Sequence, residues 1–112
     1  MRIDIQSIGF ISKLELKNFV YEKVKTLARF YREVIGSEIF MRIDNSNTKV
    51  SKVCQIRVAI PGNDLMARAQ CRTFEEATTK VVEALKRQIK NLKAKTIDKR
   101  KNVIGIKKFY ND

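Results

Sequence analysis

The chain contains no histidine, and it has only two cysteines, one proline and four glycines. The absence of histidine removes the commonest general base and the commonest metal ligand of proteins. The two cysteines, Cys54 and Cys71, cannot complete a structural zinc site by themselves. No glycine-rich phosphate loop of either familiar spacing occurs. We therefore predict a protein that is not an enzyme and that uses no metal and no cofactor.

Long apolar runs are also missing. No stretch approaches the roughly 20 apolar residues that a membrane-spanning helix needs. Residues 1–9 alternate polar and apolar side chains and lack the continuous apolar region of a signal peptide. We therefore expect a cytoplasmic protein. The 112 residues, of which 44% are hydrophobic, are enough for one compact domain with a single core.

Positive charge is what the chain has in excess. Lysine and arginine total 24 against 12 acidic residues, which gives a net charge of +12 at neutral pH. Such an excess repels itself in the folded state, and a polyanionic partner usually offsets it. Nucleic acid is the first such partner to consider, and an anionic membrane surface is the second. A solvated surface is the simpler explanation, but solubility does not require so one-sided a balance.

Hydrophobic periodicity predicts four strands and two helices in the order β-α-β-β-β-α. Alternation with a period of two predicts strands at residues 2–8, 38–44, 53–60 and 65–72. Capping boxes at Ser12–Glu15 and Thr73–Glu76 predict the starts of the helices. Apolar residues at helical spacing predict that the first helix extends from about Lys13 to about Glu33 and that the second extends from its capping box to about Lys95.

These elements predict an α+β fold. A right-handed crossover through the first helix makes the first two strands parallel, and the remaining strands form antiparallel hairpins. Each element has one apolar side, so the expected architecture is a two-layer sandwich of a four-stranded mixed sheet with both helices on one face. Residues 1–95 form the predicted domain. Residues 96–112 form a basic C-terminal tail, which we expect to be flexible because its apolar residues follow no clear period.

The hairpin between the last two strands allows a prediction of register. A turn at Pro61–Asp64 would pair Ile60 with Leu65 and bring core-facing residues opposite one another along both strands. In this register Cys54 lies opposite Cys71. A disulfide is sterically conceivable there, but we expect reduced thiols in the cytoplasm. We interpret both cysteines as small core residues, with a redox role as the less favoured alternative.

Basic residues lie off the apolar stripes of both helices. If the helices pack side by side, these residues line one wide basic surface, which is the kind that recognises A-form RNA by shape and charge. The macrodipole alone could account for lysines in the last turn of a helix, but not for the whole set. The candidate RNA-binding residues are Lys23, Lys25, Arg29, Arg32, Lys80, Lys86, Arg87, Lys90 and Lys93.

The opposite face of the predicted sheet is a second candidate surface. It carries arginines together with an aromatic residue, as exposed faces of RNA-binding sheets do, but such sheets stack bases on several aromatics. We rank this face below the helices because its arginines are expected to pair with Asp4, Glu38 and Asp44 across strands. The residues of this face are Phe40, Arg42, Arg57, Met66, Arg68, Gln70 and Arg72.

Five short segments also occur in a familiar order and spacing. They are Ile3–Gln6, Lys23–Tyr31, Pro61–Leu65, Phe74–Ala77 and Leu85–Ile89. With the element order, these segments resemble the ribosome hibernation promoting factor and ribosome-associated inhibitor A family over about residues 1–95. The resemblance implies a fold related to double-stranded-RNA-binding domains. It also implies a stress-response factor, monomeric off the ribosome, that binds the small ribosomal subunit and its rRNA.

The resemblance further implies a steric mechanism. Members of this family settle between the head and body of the small subunit, fill the A and P sites, and exclude messenger and transfer RNA from idle ribosomes. Their RNA contacts carry over onto Lys23, Arg29, Lys86 and Arg87, and more loosely onto Lys90 and Lys93. The family's longer members add a domain that pairs two ribosomes. This chain is too short to contain that domain, so we expect no ribosome pairing by it unaided.

Two alternatives remain at this point. One is a general double-stranded-RNA or nucleic-acid binding module, which would not prefer small subunits over an arbitrary duplex. The other is a small phosphate-ester hydrolase that uses Arg57 and Asn63. Such a site needs an anion cradle with a positioned water. Because the two side chains are expected to face different ways, we regard the hydrolase as the weaker alternative.

Overall fold

A computed structural model describes residues 2–46, 49 and 51–104, apart from the side chains of residues 95–104. Its element order is the predicted one. The elements are β1 (Arg2–Ile8), α1 (Leu14–Phe30), β2 (Gly36–Ile43), β3 (Lys52–Ile60), β4 (Asn63–Cys71) and α2 (Phe74–Ile104). Among the described residues, no helix is both long enough and apolar enough to cross a membrane.

The four strands form one sheet in the order β1-β2-β3-β4. β1 pairs with β2 in parallel, while β2 with β3 and β3 with β4 are antiparallel. The mixed sheet is therefore as predicted.

One hydrophobic core lies between this sheet and both helices. Ile39 and Ile56 of the sheet belong to the same buried cluster as Leu27 of α1 and Leu85 and Ile89 of α2. All five side chains are fully buried. Both helices thus cover one face of the sheet, which confirms the α+β two-layer sandwich. The other face of the sheet, called here the open sheet face, has no helix against it among the described residues.

The register of the β3–β4 hairpin differs from the prediction by two residues. Ile60 pairs with Asn63, so the loop is only Pro61 and Gly62. Proline presets the backbone at the first loop position, and Gly62 takes a positive φ of 78° at the second. Because side chains alternate with a period of two, a shift by two residues leaves each of them on its predicted face. An alternating pattern alone therefore cannot distinguish the two registers.

The corrected register separates the two cysteines. Cys54 lies opposite Ala69, and Cys71 lies opposite Lys52, so the cysteines are diagonal neighbours and not a directly opposed pair. Diagonal positions are typically about 7–8 Å apart, which exceeds the usual Cα separation of a disulfide. Both thiols are free and buried, in agreement with their interpretation as core residues.

One of the two predicted capping boxes forms. The backbone N–H of Glu76 donates to Thr73 Oγ1 at 3.1 Å, so α2 begins as predicted. At α1 the N-cap is Lys13, and no side chain caps the helix. The Ser12 hydroxyl bonds the Ser7 hydroxyl instead. The capping box predicted at Ser12–Glu15 is therefore wrong.

The helix ends also differ from the prediction. α1 ends at Phe30 because Tyr31 adopts an extended backbone (φ −146°), from which the chain turns back toward β2. α2 continues past Lys95 to Ile104. No glycine or proline interrupts residues 96–104, and the next glycine is residue 105. The first part of the predicted tail is thus helical. Residues 105–112 lie outside the described residues, and the flexibility of the tail stays a prediction.

Candidate nucleic-acid interface

The two helices lie side by side and run in the same direction. Near their C-terminal ends, Lys93 Nζ of α2 donates to the Phe30 carbonyl of α1 at 2.7 Å. Near their N-terminal ends, Phe19 of α1 lines a shallow groove together with Thr73 and Thr79. The start of α1 therefore lies beside the start of α2, and residues near the end of α1 lie beside later residues of α2. The C-terminal end of α1 lies beside the middle of α2, around Lys93.

Charge is unevenly distributed along this helix pair. Every charged residue in residues 23–32 and 86–94 is a lysine or an arginine. The glutamates of the two helices precede these segments, at Glu15, Glu22, Glu75, Glu76 and Glu83. The parallel arrangement therefore collects positive charge at one end. We call this set the helical basic surface: Lys23, Lys25, Arg29, Arg32, Lys86, Arg87, Lys90 and Lys93.

Eight of the nine predicted RNA-binding residues thus share one region. The exception is Lys80, which lies nearer the start of α2, between Glu76 and Glu83 along the same helix. Arg29, Arg32, Arg87, Lys90 and Lys93 are exposed to solvent, and Lys23, Lys25 and Lys86 are half-buried. Partial burial of a lysine is compatible with phosphate binding because its apolar stem packs while the ammonium reaches water.

Two of these lysines make cation–π contacts with aromatic rings. Lys23 Nζ lies 5.7 Å from the centre of the Phe19 ring, and Lys25 Nζ lies 5.5 Å from that of Tyr21. Each ring precedes its lysine by four residues, the spacing at which helical side chains touch. Lys25 also lies 3.7 Å from Glu22 Oε2. These aromatics were not among the predicted site residues, although their four-residue spacing from the lysines could have identified them.

Lys93 also connects the two helices. Besides its hydrogen bond to the Phe30 carbonyl, its ammonium lies 4.7 Å from the Phe30 ring centre and 5.8 Å from that of Tyr31. A cation at the last carbonyls of a helix is favourable, because those groups have no partner within the helix. Lys93 therefore stabilises the end of α1 in addition to contributing charge.

The open sheet face is partly neutralised by ion pairs. Arg57 pairs with Glu38, as predicted, and with Asp64 at 3.7 Å. The hydrogen bond that Arg57 donates to the Glu38 carboxylate raises the pKa of Arg57 further above its usual value. Asp4 pairs with Arg2 at 3.3 Å and not with one of the four predicted arginines.

At the other end of this face, hydrogen bonds from Ser46 lower the pKa of Asp44, with a smaller contribution from the charge of Arg42. Arg68 and Arg72 form no ion pair within the described part of the chain. For these two arginines, the predicted cross-strand pairing is wrong, since no carboxylate lies opposite either of them.

The residues of the alternative hydrolase site do not form an anion cradle. The Arg57 guanidinium is engaged by the carboxylates of Glu38 and Asp64. Asn63 Oδ1 accepts the backbone N–H of Asp64 at 2.9 Å. A phosphate would have to displace two carboxylates from Arg57, so the geometry argues against this chemistry.

Comparisons with known proteins agree with this arrangement. The family model described as sigma 54 modulation protein / S30EA ribosomal protein matches residues 3–97. Among solved structures, a ribosomal subunit interface protein from Coxiella burnetii has 20% identity and a TM-score of 0.74, covering 84% of this chain and 99% of that chain. The N-terminal domain of Protein Y from Thermus thermophilus has 16% identity and a TM-score of 0.70, covering 82% and 99%.

No curated protein sequence gives a significant match. The two solved structures share the fold of this chain at low identity, and the family model spans most of its length. The chain therefore belongs to the sigma 54 modulation protein / S30EA ribosomal protein family, a non-enzymatic family of ribosome-associated proteins, as its resemblance to hibernation factors predicted.

Proposed function

We propose that the protein inhibits translation by binding the rRNA of the small ribosomal subunit at the decoding channel. There it would occupy the A and P sites, exclude messenger and transfer RNA, and preserve idle ribosomes. The helical basic surface carries this proposal, because residues 23–32 and 86–94 lie side by side and contain lysines and arginines but no acidic residue. Membership of a ribosome-associated family supports the choice of partner.

Folded RNA suits this surface for a physical reason. A-form RNA presents phosphates and 2′-hydroxyls across a wide, shallow minor groove. Arg29, Arg32 and Arg87 can each hold a phosphate through two donors, whereas the lysines act as point charges. Two parallel helices give these groups fixed spacing along two adjacent lines. Such a surface recognises shape and charge and needs no base-specific contact.

The mechanism requires occupancy alone. A domain bound in the channel blocks the path of messenger and transfer RNA, and no covalent step is involved. Inhibition should therefore follow the fraction of subunits occupied and reverse when the protein dissociates. Ribosome association also supports the predicted cytoplasmic location. That the protein is monomeric off the ribosome stays a prediction.

Charge reversal at Lys86 and Arg87 together tests this function. Both residues lie off the core, where substitutions usually change stability by less than about 0.5 kcal/mol. We expect affinity for vacant small subunits to fall by about 100-fold or more, since two phosphate contacts are lost and two repulsions are introduced. Co-sedimentation through a low-salt gradient measures the bound fraction.

Lys13→Glu/Lys17→Glu is the matched control. Both lysines are exposed and lie at the opposite end of α1, and the change in net charge is the same. This variant should bind nearly as well as the unaltered protein. Equal loss in the two variants would show that net charge, and not the helical basic surface, determines binding. Equal affinity for subunits and for an arbitrary duplex of the same phosphate content would favour the general RNA-binding module.

A further inference from the structure

The open sheet face carries a row of four side chains that crosses all four strands. The register places Gln6 opposite Phe40, Phe40 opposite Gln55, and Gln55 opposite Arg68. Neighbouring strands lie about 4.8 Å apart, so the row is about 14 Å wide. An aromatic ring thus lies between two side-chain amides, with a guanidinium at the edge of the sheet.

Positive charge on this face is available on one side of the row only. On the side where β1 begins, Arg2 and Arg57 are paired with carboxylates. On the side where β1 ends, Arg72 is exposed, as is Arg68 in the row itself, and neither has an ion pair in the described residues. Arg42 and Asp44 also lie on this side and offset one another. The row therefore borders a region where Arg68 and Arg72 leave a net positive charge.

Apolar surface accompanies this charge. Met66 and Ile8, on either side of the row, have exposed fractions of 50% and 51%, and Phe40 is half-buried. The Gln55 side-chain amide donates to Met66 Sδ at 3.2 Å, which holds the methionine beside the row. Flat or flexible apolar groups between cationic side chains are the surfaces on which nucleobases stack.

We infer that the open sheet face binds an unpaired strand of ribosomal RNA, with a base stacked on Phe40 and phosphates held by Arg68 and Arg72. An unpaired strand fits better than a duplex, because bases inside a duplex cannot reach a ring that lies on a sheet. The single aromatic in the row predicts that few bases stack. The source of the strand rests on the proposed function, whereas binding of a single strand does not.

This surface and the helical basic surface lie on opposite sides of the domain. The buried core and the sheet itself separate the two surfaces, and the screening length in about 0.1 M salt is about 10 Å. Each surface can therefore bind RNA with little influence on the other. A domain held on both sides would join a folded rRNA element to an unpaired one.

Fluorescence anisotropy with a labelled oligouridine of about ten nucleotides tests the surface in the full chain. Oligouridine remains unpaired and offers bases for stacking. At about 0.1 M salt, Arg68→Glu/Arg72→Glu should weaken binding at least about tenfold, and Phe40→Leu about fivefold or more through loss of the aromatic ring. Lys86→Glu/Arg87→Glu, which changes the net charge equally, should weaken it less than about threefold.

Each outcome decides the inference. Absence of binding by the unaltered protein overturns it, and so does equal weakening by the two double reversals or unchanged binding by Phe40→Leu. Circular dichroism and thermal unfolding confirm that each variant is folded.

Chemical probing of salt-washed, messenger-free small subunits then tests the source of the strand. Arg68→Glu/Arg72→Glu should lose protection at unpaired rRNA positions. If Arg68→Glu/Arg72→Glu no longer binds oligouridine but still protects every rRNA position that the unaltered protein protects, the assignment of the strand to rRNA is overturned. Failure of the proposed function would appear separately, as subunit binding unaffected by Lys86→Glu/Arg87→Glu.

Discussion

The Cys54 thiol illustrates how burial controls the chemistry of one residue. Its side chain is fully buried under α2, and the Thr78 hydroxyl contacts its sulfur at 3.6 Å. Burial raises the pKa of Cys54 to about 11, because a thiolate would lose its hydration there. At neutral pH the group is therefore a protonated, unreactive part of the core.

A pH dependence of stability follows from this shift. Below about pH 9 the thiol is protonated in both the folded and the unfolded chain, so it contributes no slope. Between about pH 9 and 11 the unfolded chain releases a proton that the folded chain retains. The free energy of unfolding should then fall by about 1.4 kcal/mol per pH unit from this group. Urea denaturation of the unaltered protein and of Cys54→Ala measures the difference. Parallel pH profiles for the two proteins would contradict the prediction.

Some residue contacts could be predicted from the sequence and others could not. The Arg57–Glu38 pair was predictable because adjacent antiparallel strands bring alternating positions into register. The contact of Lys93 with the Phe30 carbonyl spans 63 residues of sequence. It depends on the direction and offset of two packed helices, which no local pattern contains. Long-range side-chain contacts of this kind require the folded structure.

At the scale of the element, the two helix starts show what a capping sequence determines. Thr73 caps α2, whereas Ser12 is buried and bonds Ser7. Both sites have the same capping pattern in sequence, so tertiary contacts decided the outcome. A hydroxyl can bond another side chain as readily as a backbone N–H, and the β1–α1 connection offers Ser12 such a partner.

Thr73→Ala tests the cap of α2. Loss of the hydroxyl leaves the Glu76 N–H without this partner, so the free energy of unfolding should fall by about 1 kcal/mol. Chemical denaturation measures the change. Thr73→Ser is the matched control, since serine keeps the oxygen and should retain most of the stability. If Thr73→Ser destabilised the protein as much as Thr73→Ala, the methyl group and not the cap would be responsible.

At the scale of the whole molecule, the uneven charge of the helix pair predicts a steep salt dependence. If each residue of the helical basic surface neutralises one phosphate, the log–log slope of subunit affinity against salt is about −6. Lys86→Glu/Arg87→Glu should make this slope shallower by about two, whereas Lys13→Glu/Lys17→Glu should leave it unchanged. Co-sedimentation at several salt concentrations measures both slopes. A slope near −2 for the unaltered protein would mean that most of these residues do not contact RNA.

The two-layer architecture and the helical basic surface were largely predictable, because periodicity, element order and charge are local properties of the chain. The separation of Lys80 from the other candidates was not. Lys80 satisfies the same pattern as Lys86, but it has Glu76 and Glu83 near it along the helix, in a half of the helix pair where acidic residues prevail. Only the relative direction of α1 and α2 shows which part of one helix lies beside which part of the other.

That shared direction has a kinetic consequence. With glutamates toward one end of both helices and lysines and arginines toward the other, the helix pair has a large permanent dipole moment. The field around a polyanion exerts a torque on such a molecule before contact and turns its cationic end forward. Collisions then begin in a productive orientation more often than chance allows, which raises the association rate without any added contact.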